Sequence, residues 1–306
     1  MKQNKKESVS AVFVDSRNTC FMQKGSRIVP ELPEVETVRK GLEQLVLGAT
    51  IKSVDVYWDR IISGSIESSE FKQLLLGETI KEFDRRGKYI IFRFEHWALV
   101  SHLRMEGKYE VEESAAPLKK HTHVVFHLTD GRDLRYLDVR KFGRMTLVPL
   151  GKEFSMTGIK LLGPEPTEET FDEKTFYKTL QTKKRAVKPL LLDQTVVAGL
   201  GNIYVDEALF EANIHPMRTA NSLTKNEVSQ LHKAIIQVLG DAVIAGGTTI
   251  RSYQNALGEA GTFQVKLSVY GKKGMPCVRC NTPIEKIKVA QRGTHFCPNC
   301  QRLADH

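Results

Sequence analysis

Cysteine is scarce in this chain, with 5 in 306 residues, and four of them lie together near the C-terminus. This distribution argues against a disulfide scaffold and favours a metal site in a reducing compartment. A long apolar run is missing from residues 1–28, where the longest is Ala11-Val12-Phe13-Val14. That run is too short for the apolar core of a signal peptide or for a membrane span, so we expect neither an export signal nor a membrane partner.

Acidic residues are also in the minority, because the chain holds 36 Asp and Glu against 45 Lys and Arg and carries a net charge of +9. Residues 1–28 contribute six basic and two acidic side chains, which leaves +5 for the remainder. A moderate positive charge favours a nucleic-acid partner, but many other housekeeping proteins share it. Charge alone therefore decides little about function. At 306 residues the chain has room for two or three domains.

Apolar spacing after residue 29 predicts one helix followed by short strands. Pro33 stands at a favoured position for a helix start, and apolar residues such as Val35, Val38 and Leu42 recur behind it at helical spacing. Alternating or apolar segments bounded by turn residues come next: Ile51 to Tyr57, Tyr89 to Phe94, Ala98 to Leu103, His123 to Leu128 and Arg144 to Val148. We expect an antiparallel β-sandwich with the helix at its edge.

The period becomes helical after residues 151–171, a segment rich in Gly, Pro and Glu that we interpret as a linker. Helices are predicted over Asp172 to Gln181, Val187 to Asp193, Ile203 to Glu211 and Lys225 to Ala245. A glycine-bearing turn ends in Asn202, which can cap the third of these helices, and such a helix start can hold a phosphate. An ordinary helix-turn-helix corner has the same sequence features.

The C-terminal cysteines follow a metal-binding pattern. Cys277-x2-Cys280 and Cys297-x2-Cys300 are separated by sixteen residues, a spacing typical of tetrahedral Zn²⁺ coordination by four thiolates. Four thiolates close the coordination shell, so we predict one structural zinc per chain. Arg292 lies between the two pairs, at the tip of a predicted β-hairpin, where an arginine is most often simply solvated.

One segment of the chain reads Val29-Pro30-Glu31-Leu32-Pro33-Glu34-Val35-Glu36-Thr37. It resembles the start of bacterial formamidopyrimidine-DNA glycosylases. The turn before Ile203 and the four-cysteine motif resemble the same family in order and spacing, so the resemblance covers residues 29–302. Residues 1–28 are then an extra segment, either a disordered arm or the product of a start assigned too early. We favour the second interpretation.

The resemblance implies a covalent mechanism. It implies that Pro30 is the nucleophile that attacks the anomeric carbon of deoxyribose and that Glu31 is the acid that protonates the sugar ring oxygen. It also implies that Lys88 acts in the elimination stage. The resemblance further implies that Arg292 acts in a second elimination and binds phosphates of the DNA backbone. A prolyl α-amine suits this attack because its pKa lies about two units below that of lysine. An internal Pro30 would be an amide without a free amine, and Glu31 without the resemblance would be an ordinary helix-start carboxylate.

The resemblance also implies contacts with DNA. Met105 and Phe142 are implied to wedge into the gap left by a flipped base, and Arg140 to bond the orphaned cytosine. Four further residues are implied to contact DNA: His121, Lys184, Asn202 and Tyr270. On composition alone Met105 and Phe142 would more often be core residues, and His121, Lys184 and Tyr270 could equally be ordinary surface residues. Residues 248–263 resemble a mobile lesion-recognition loop, although a plain linker has the same composition.

We therefore expect an α+β multidomain chain with four parts: an extension over 1–28, a β-sandwich catalytic domain over 29–158, a helix-two-turn-helix domain with the recognition loop over 159–267, and a zinc-finger β-hairpin over 268–306.

The expected function is base-excision repair of double-stranded DNA. The resemblance implies excision of oxidised purines, such as 8-oxoguanine and formamidopyrimidines, followed by β,δ-elimination at the abasic site. The expected partner is damaged DNA and the expected state is a monomer in the bacterial cytoplasm, at the nucleoid. Two alternatives stay open: an endonuclease VIII-like glycosylase for oxidised pyrimidines, and a non-catalytic DNA-binding protein if Pro30 is internal.

Overall fold

The computed structural model describes residues 29–155, 157–248 and 266–303. The extension over 1–28 lies outside the described residues, as does the predicted recognition loop after Thr248. Within the described ranges, no helix is both long enough and apolar enough to cross a bilayer.

The N-terminal part folds as the predicted antiparallel β-sandwich, preceded by α1 (Leu32–Val46). Its strands are β1 (Ile51–Val56), β2 (Glu82–Arg86), β3 (Tyr89–Arg93), β4 (Trp97–His102), β5 (Lys108–Glu113), β6 (Thr122–Leu128), β7 (Arg132–Leu137) and β8 (Arg144–Pro149). One sheet has the order β1-β6-β7-β5 and the other the order β2-β3-β4-β8. A short helix, α2 (Ser68–Leu74), packs beside β1.

The sandwich core extends onto α1, which fixes the start of the described chain. Phe92 on β3, Phe126 on β6 and Tyr136 on β7 are at most 2% exposed. Val38 and Leu42 of α1 belong to the same apolar cluster. Since α1 also contacts α7 of the helical part, its N-terminus lies where the sandwich meets the helices.

The helical part follows the predicted helices to within two residues at each end. The predicted helices are α4 (Glu173–Gln181), α5 (Val187–Leu191), α6 (Asn202–Glu211) and α7 (Lys225–Ile244), whereas the short α3 (Thr157–Lys160) lies in the segment predicted to be a linker. Residues 203–210 of α6 are all buried, so α6 is the central helix of this part rather than a surface helix. Thr224 and Glu227 form a capping box that starts α7.

The C-terminal module is a hairpin docked on α6. It consists of β9 (Glu285–Val289) and β10 (Arg292–Phe296), joined by a turn in which Ala290 and Gln291 have φ of +44° and +65°. Ile284 and Phe296 of the module pack in one cluster with Phe210 of α6. Arg292 directly follows the turn, as the sequence predicts, and this docking carries it towards the start of α6.

Candidate active site

Glu31 joins the first described residues to the helical part. Its Oε1 accepts a hydrogen bond from the Ile203 N–H at 2.8 Å, and its Oε2 accepts one from the Tyr204 N–H at 3.4 Å. The carboxylate therefore satisfies the free N–H groups of the first turn of α6. A side chain at Gly201 would place its Cβ 2.6 Å from Glu31 Oε1, so this close approach requires glycine.

Burial gives the Glu31 carboxyl the properties of an acid near neutral pH. The side chain is 2% exposed. Burial raises the pKa of Glu31 to about 7 against the opposing Lys88 ammonium, and the neighbouring Glu34 carboxyl adds to the rise. A carboxyl with a pKa near the working pH can hold a proton and release it, which general acid catalysis requires.

Lys88 stands on the tight turn between β2 and β3 and points at the same helix start. Its Nζ donates to the Leu200 carbonyl oxygen at 3.1 Å. Burial lowers the pKa of the Lys88 ammonium; Glu31 and Glu34 oppose the shift, and the positive charge of Arg292 supports it. Lys88 is therefore close enough to both Glu31 and Arg292 to interact electrostatically with each of them.

A half-buried ion-pair cluster fixes the turn that carries Lys88. Glu165 accepts two hydrogen bonds from the Arg85 guanidinium, at 2.9 and 2.8 Å, and a third from the Gly87 N–H at 2.6 Å. Arg85 also pairs with Glu36 of α1. Sequence reasoning missed Glu165, because it lies 78 residues from Gly87 in a segment interpreted only as a linker.

Pro30 is buried directly before Glu31, at the entry to α1. In the 306-residue chain it follows Val29, so its nitrogen is part of a peptide bond. The Leu32 N–H donates to the Gly199 carbonyl oxygen at 3.2 Å, which ties this segment to the turn before α6. Pro30, Glu31 and Lys88 thus lie together at the start of α6, in what we call the pocket, and their catalytic roles stay predictions.

Glu34 is a second buried carboxylate that sequence reasoning missed. It accepts from the Glu31 N–H at 3.0 Å, from the Tyr204 hydroxyl at 2.6 Å, and from the N–H and hydroxyl of Thr248, both at 2.9 Å. Burial raises the pKa of Glu34. The capping-box spacing of Glu31 and Glu34 was the available signal, but it predicts only a helix start.

The role predicted for Asn202 as a helix cap is wrong. The capping position belongs to Gly201, and Glu31 satisfies the first N–H groups of α6 instead. The Asn202 side chain donates to the Gly293 carbonyl oxygen at 3.0 Å. Asn202 therefore reaches across to the hairpin that carries Arg292, and its DNA contact stays a prediction.

A wholly buried lysine strengthens this bridge between α6 and the hairpin. Lys188 Nζ donates to Asp206 Oδ1 at 2.6 Å, to Thr294 Oγ1 at 2.8 Å and to the Gly293 carbonyl oxygen at 3.2 Å. Asp206 Oδ2 accepts from the His295 N–H at 2.8 Å. The available signal was a lysine inside the apolar helix α5, which sequence reasoning did not use.

Met105, Arg140 and Phe142, which we call the wedge, lie on two turns of the sandwich. Met105 is half-buried in the turn between β4 and β5. Phe142 is 44% exposed, so the alternative of a core residue is wrong for it. The Arg140 guanidinium carbon lies 4.7 Å from the centre of the Phe142 ring. An exposed aromatic ring covered by an arginine is suited to entering a base stack.

The remaining predicted DNA contacts have different settings. His121 is half-buried with φ of +69°, and Lys184 is exposed in the loop between α4 and α5. Tyr270 packs edge-on against His295, and its N–H donates to the buried Glu207 carboxylate at 2.7 Å. The Tyr270 hydroxyl also interacts with Asn202. Tyr270 and Asn202 therefore border the pocket, whereas Lys184 stands apart on the surface.

A cleft of about 300 Å³ opens beside Lys88. It is lined by Lys88, Tyr89, His102, Arg104, Gly158, Leu161, Leu162, Gln194 and Thr195. Burial, together with the positive charges of Arg104 and Lys88, lowers the pKa of His102 to about 3. His102 is therefore neutral in this cationic cleft. Sequence reasoning missed it, although it lies three residues before Met105.

The four cysteines fit one zinc ion. Their Sγ atoms all lie within 4.8 Å of one another, and the closest pairs are 3.5 to 3.9 Å apart. Tetrahedral coordination with Zn–S bonds of about 2.3 Å places sulfur atoms about 3.8 Å apart. Cys277, Cys280, Cys297 and Cys300 therefore form a closed structural site, which fixes the hairpin that carries Arg292.

Family models match three stretches of the chain. They are the formamidopyrimidine-DNA glycosylase N-terminal domain over residues 29–145, the formamidopyrimidine-DNA glycosylase H2TH domain over residues 162–254, and the zinc finger found in FPG and IleRS over residues 274–303. Their order is the order of the sandwich, the helical part and the hairpin module.

Two relatives named formamidopyrimidine-DNA glycosylase illustrate the sequence similarity. The protein from Enterococcus faecalis is 61% identical over 275 residues, which are 90% of this chain and 98% of the relative. The protein from Lactiplantibacillus plantarum is 56% identical over 276 residues, which are 90% of this chain and all of the relative.

Solved structures show the same similarity. Lactococcus lactis Fpg in complex with DNA containing an abasic site is 46% identical, with a TM-score of 0.84 over 90% of this chain and all of that one. The same protein with DNA containing N7-benzyl-Fapy-dG gives a TM-score of 0.85 with the same coverage. MutM with DNA containing carbocyclic 8-oxo-G gives 0.84, again at 46% identity and the same coverage.

Proposed function

Since the chain belongs to the formamidopyrimidine-DNA glycosylase family, we propose how its pocket carries out that family's reaction. The chain is a DNA glycosylase of base-excision repair that removes oxidised purines from double-stranded DNA and cleaves the abasic strand as a lyase. One observation supports this assignment of the pocket: Glu31, which directly follows Pro30, has a buried carboxyl with a pKa of about 7.

The first chemical step joins the sugar to the protein. The unprotonated Pro30 amine attacks the anomeric carbon of the damaged nucleotide, and the bond from that carbon to the base breaks as the base leaves. The Glu31 carboxyl gives its proton to the ring oxygen as the sugar ring opens, and the proline nitrogen, whose own proton goes to the departing base, becomes an iminium cation. A secondary amine yields this cation without an added proton, and the cation then accepts electrons during elimination.

Elimination uses the remaining cations of the pocket. Proton loss from the carbon next to the iminium expels the 3′ phosphate, and a second elimination expels the 5′ phosphate. We assign Lys88 to the first stage and Arg292 to the second. The support is the electrostatic interaction of Lys88 with both Glu31 and Arg292 at the start of α6. A lysine whose pKa is lowered by burial is more readily unprotonated than an exposed lysine, and it can then accept a proton.

The proposed DNA contacts divide between recognition and grip. The wedge fills the space left by the flipped nucleotide, and Arg140 bonds the unpaired cytosine. Asn202, Tyr270 and Arg292 face the backbone beside the pocket, and His121 and Lys184 contact it further away. Exposure of Phe142 and Arg292 supports this division, because both side chains are free to meet DNA.

The domain boundaries at residues 158/159 and 267/268 are part of the proposal. The three family matches fall inside the resulting segments, although α3 spans the first boundary. We further propose that the protein acts as a monomer in the cytoplasm, at the nucleoid. A thiolate zinc site suits that reducing compartment.

Pairs of duplexes test the substrate class. The chain beginning at Pro30, produced with an initiating methionine that the cell removes, is given 8-oxoguanine opposite cytosine or thymine glycol opposite adenine. We expect faster excision of 8-oxoguanine under single-turnover conditions. Faster excision of thymine glycol would favour an oxidised-pyrimidine enzyme, and no excision of either base would favour a non-catalytic DNA-binding protein.

A further inference from the structure

We propose that Tyr136 and Asp138 hold the two turns of the wedge in one fixed arrangement, so that Met105 and Phe142 enter DNA as a single body. The first turn is residues 104–107, which carries Met105, and the second turn is residues 138–143, which carries Arg140 and Phe142. This inference rests on the proposed function, because it assumes that these side chains fill the gap left by a flipped nucleotide. Tyr136 and Asp138 are then positioning residues for recognition.

Asp138 determines the shape of the second turn. Its side chain is 1% exposed. Oδ1 accepts from the Arg140 N–H at 2.9 Å, and Oδ2 accepts from the N–H groups of Phe142 and Gly143, both at 2.8 Å. Lys141, at the tip, has φ of +58°. Because one carboxylate binds three N–H groups of the turn, the direction of Phe142 is fixed before DNA is met.

Contacts from the sheet hold the same turn from outside. His123 lies within hydrogen-bond distance of the Asp138 carbonyl oxygen, at 2.8 Å from Nε2. The Trp58 ring packs against His123, with centroids 5.6 Å apart. The cationic groups of Lys141 and Arg144 lie 5.7 and 5.5 Å from the centre of the Trp58 ring. The second turn is therefore held on both sides.

Tyr136 connects the second turn to the first. It lies on β7, is fully buried, and packs edge-on against Tyr109 of β5. A Cβ placed on Gly107 would lie 2.8 Å from Tyr136 Cζ, and a Cβ on Gly143 would lie 2.7 Å from it; the hydroxyl is closer still in both cases. The end of one buried ring therefore touches the base of both turns.

The requirement for glycine at these two positions is one of space. Neither Gly107 nor Gly143 has a positive φ, so any residue could adopt the backbone conformation. Gly107 closes the first turn through a hydrogen bond from its N–H to the Leu103 carbonyl oxygen at 3.0 Å. A methyl group at Gly143 must therefore displace Tyr136 or the second turn. Displacement of Tyr136 would in turn move the first turn.

A rigid wedge differs from two independent turns in a measurable way. If one buried ring fixes the positions of both turns, displacement of the second turn should also remove the contribution of Met105 to DNA affinity. Independent turns would instead contribute separately, so that the effects of their substitutions would multiply in the dissociation constant. A double-mutant cycle between Gly143→Ala and Met105→Ala distinguishes the two arrangements.

The cycle is measured on the chain beginning at Pro30, because the tetrahydrofuran analogue carries no base to excise. The probe is a duplex with a tetrahydrofuran abasic analogue opposite cytosine, and 2-aminopurine beside it reports insertion because unstacking raises its fluorescence. We expect Met105→Ala to weaken binding by about fivefold or more in the parent chain, and by less than about twofold in Gly143→Ala. Gly143→Ala should also suppress the fluorescence rise.

A rescue distinguishes positioning from a general loss of fold. Tyr136→Phe removes the atom closest to the new methyl group, so it should restore part of the binding and fluorescence response of Gly143→Ala. Gly240→Ala is the matched control, because a Cβ at Gly240 in α7 meets nothing within 4 Å, and it should leave both readouts unchanged. If Gly143→Ala does not fold, Asp138→Asn, which loses one of the two acceptor oxygens, replaces it in the cycle.

Two results would overturn the proposal, and only the second would also overturn the void-filling role of the wedge. An equal factor for Met105→Ala in both backgrounds would show that the turns act independently, while the void-filling role would stand. No effect of Met105→Ala or Phe142→Ala on binding or fluorescence would remove the void-filling role, and with it the coupled wedge.

Discussion

The catalytic pocket and the wedge are assembled in opposite ways. In the pocket, Glu31 accepts hydrogen bonds from N–H groups 172 and 173 residues away, and Lys88 donates to a carbonyl 112 residues away. In the wedge, Asp138 accepts from N–H groups two, four and five residues away. The pocket therefore exists only when the sandwich packs on the helical part, whereas the wedge is internal to the sandwich. Substitutions should separate chemistry from recognition.

The largest separation is expected from Glu31→Gln. The amide keeps an oxygen that can accept the Ile203 N–H, but it cannot release a proton to the sugar. We therefore expect single-turnover excision of 8-oxoguanine to slow by about 10²- to 10⁴-fold. Affinity for the tetrahydrofuran duplex should be unchanged, because the wedge is intact. Loss of binding together with excision would show that pocket and wedge are not separable.

Lys188→Met tests the dependence of the pocket on packing between its parts. The substitution leaves the buried Asp206 carboxylate without its ammonium partner, and we expect the free energy of unfolding to fall by about 3 to 5 kcal/mol. Urea unfolding measures the change. Lys81→Met, which breaks the exposed pair with Glu95, should have little effect. Equal effects of the two substitutions would contradict a structural role for the buried pair.

Arg140→Ala changes the wedge and leaves the pocket intact, so it should affect recognition and spare chemistry. We expect it to weaken discrimination between 8-oxoguanine paired with cytosine and with adenine by about 1 to 3 kcal/mol, as for other base-reading arginines. Cleavage of a preformed abasic site should persist, since Pro30 and Lys88 are untouched. Arg292→Ala should instead weaken binding to all duplexes and flatten its salt dependence. A uniform loss in Arg140→Ala would make Arg140 a phosphate contact.

The smallest expected effect is a pH dependence confined to the pocket. The protonated Glu31 carboxyl is the acid, and its pKa is raised from 4.5 to about 7. Excision needs both this proton and an unprotonated Pro30 amine, so its rate should rise at low pH as the amine loses its proton and fall at high pH as Glu31 loses its proton; Glu31→Gln should lose the fall at high pH. The proton held by Glu31 also stabilises the folded chain below about pH 4.5, and this contribution is lost as the pH rises through 7. A pH-independent excision rate would contradict the assignment.

The same contrast explains what the sequence could predict. Apolar alternation predicted β3, β4 and β8, and helical spacing predicted α4 to α7, because both signals are local. β2, β5 and β7 were missed, since each carries at least three charged residues and its pairing with a neighbouring strand gives no local signal.

The candidate site was predictable only where it follows a motif. The four cysteines and the Pro30-Glu31 pair can be read from spacing or resemblance. The partners that place them cannot, because the pairing of Lys188 with Asp206, or of Glu165 with Gly87, forms only after distant segments pack. Asn202 shows the limit most clearly. Its position at a helix start predicted a cap, but a carboxylate from the other end of the chain occupies that role.

The central claim is that the chemistry of the pocket runs through the Pro30 nitrogen. The direct measurement is borohydride trapping of the chain beginning at Pro30 on an 8-oxoguanine duplex, followed by mass mapping of the peptide that carries the DNA. We expect the adduct on Pro30, and we expect no trapping by the chain that retains Val29, in which that nitrogen is an amide. An adduct on Lys88, or equal trapping by both chains, would contradict the claim.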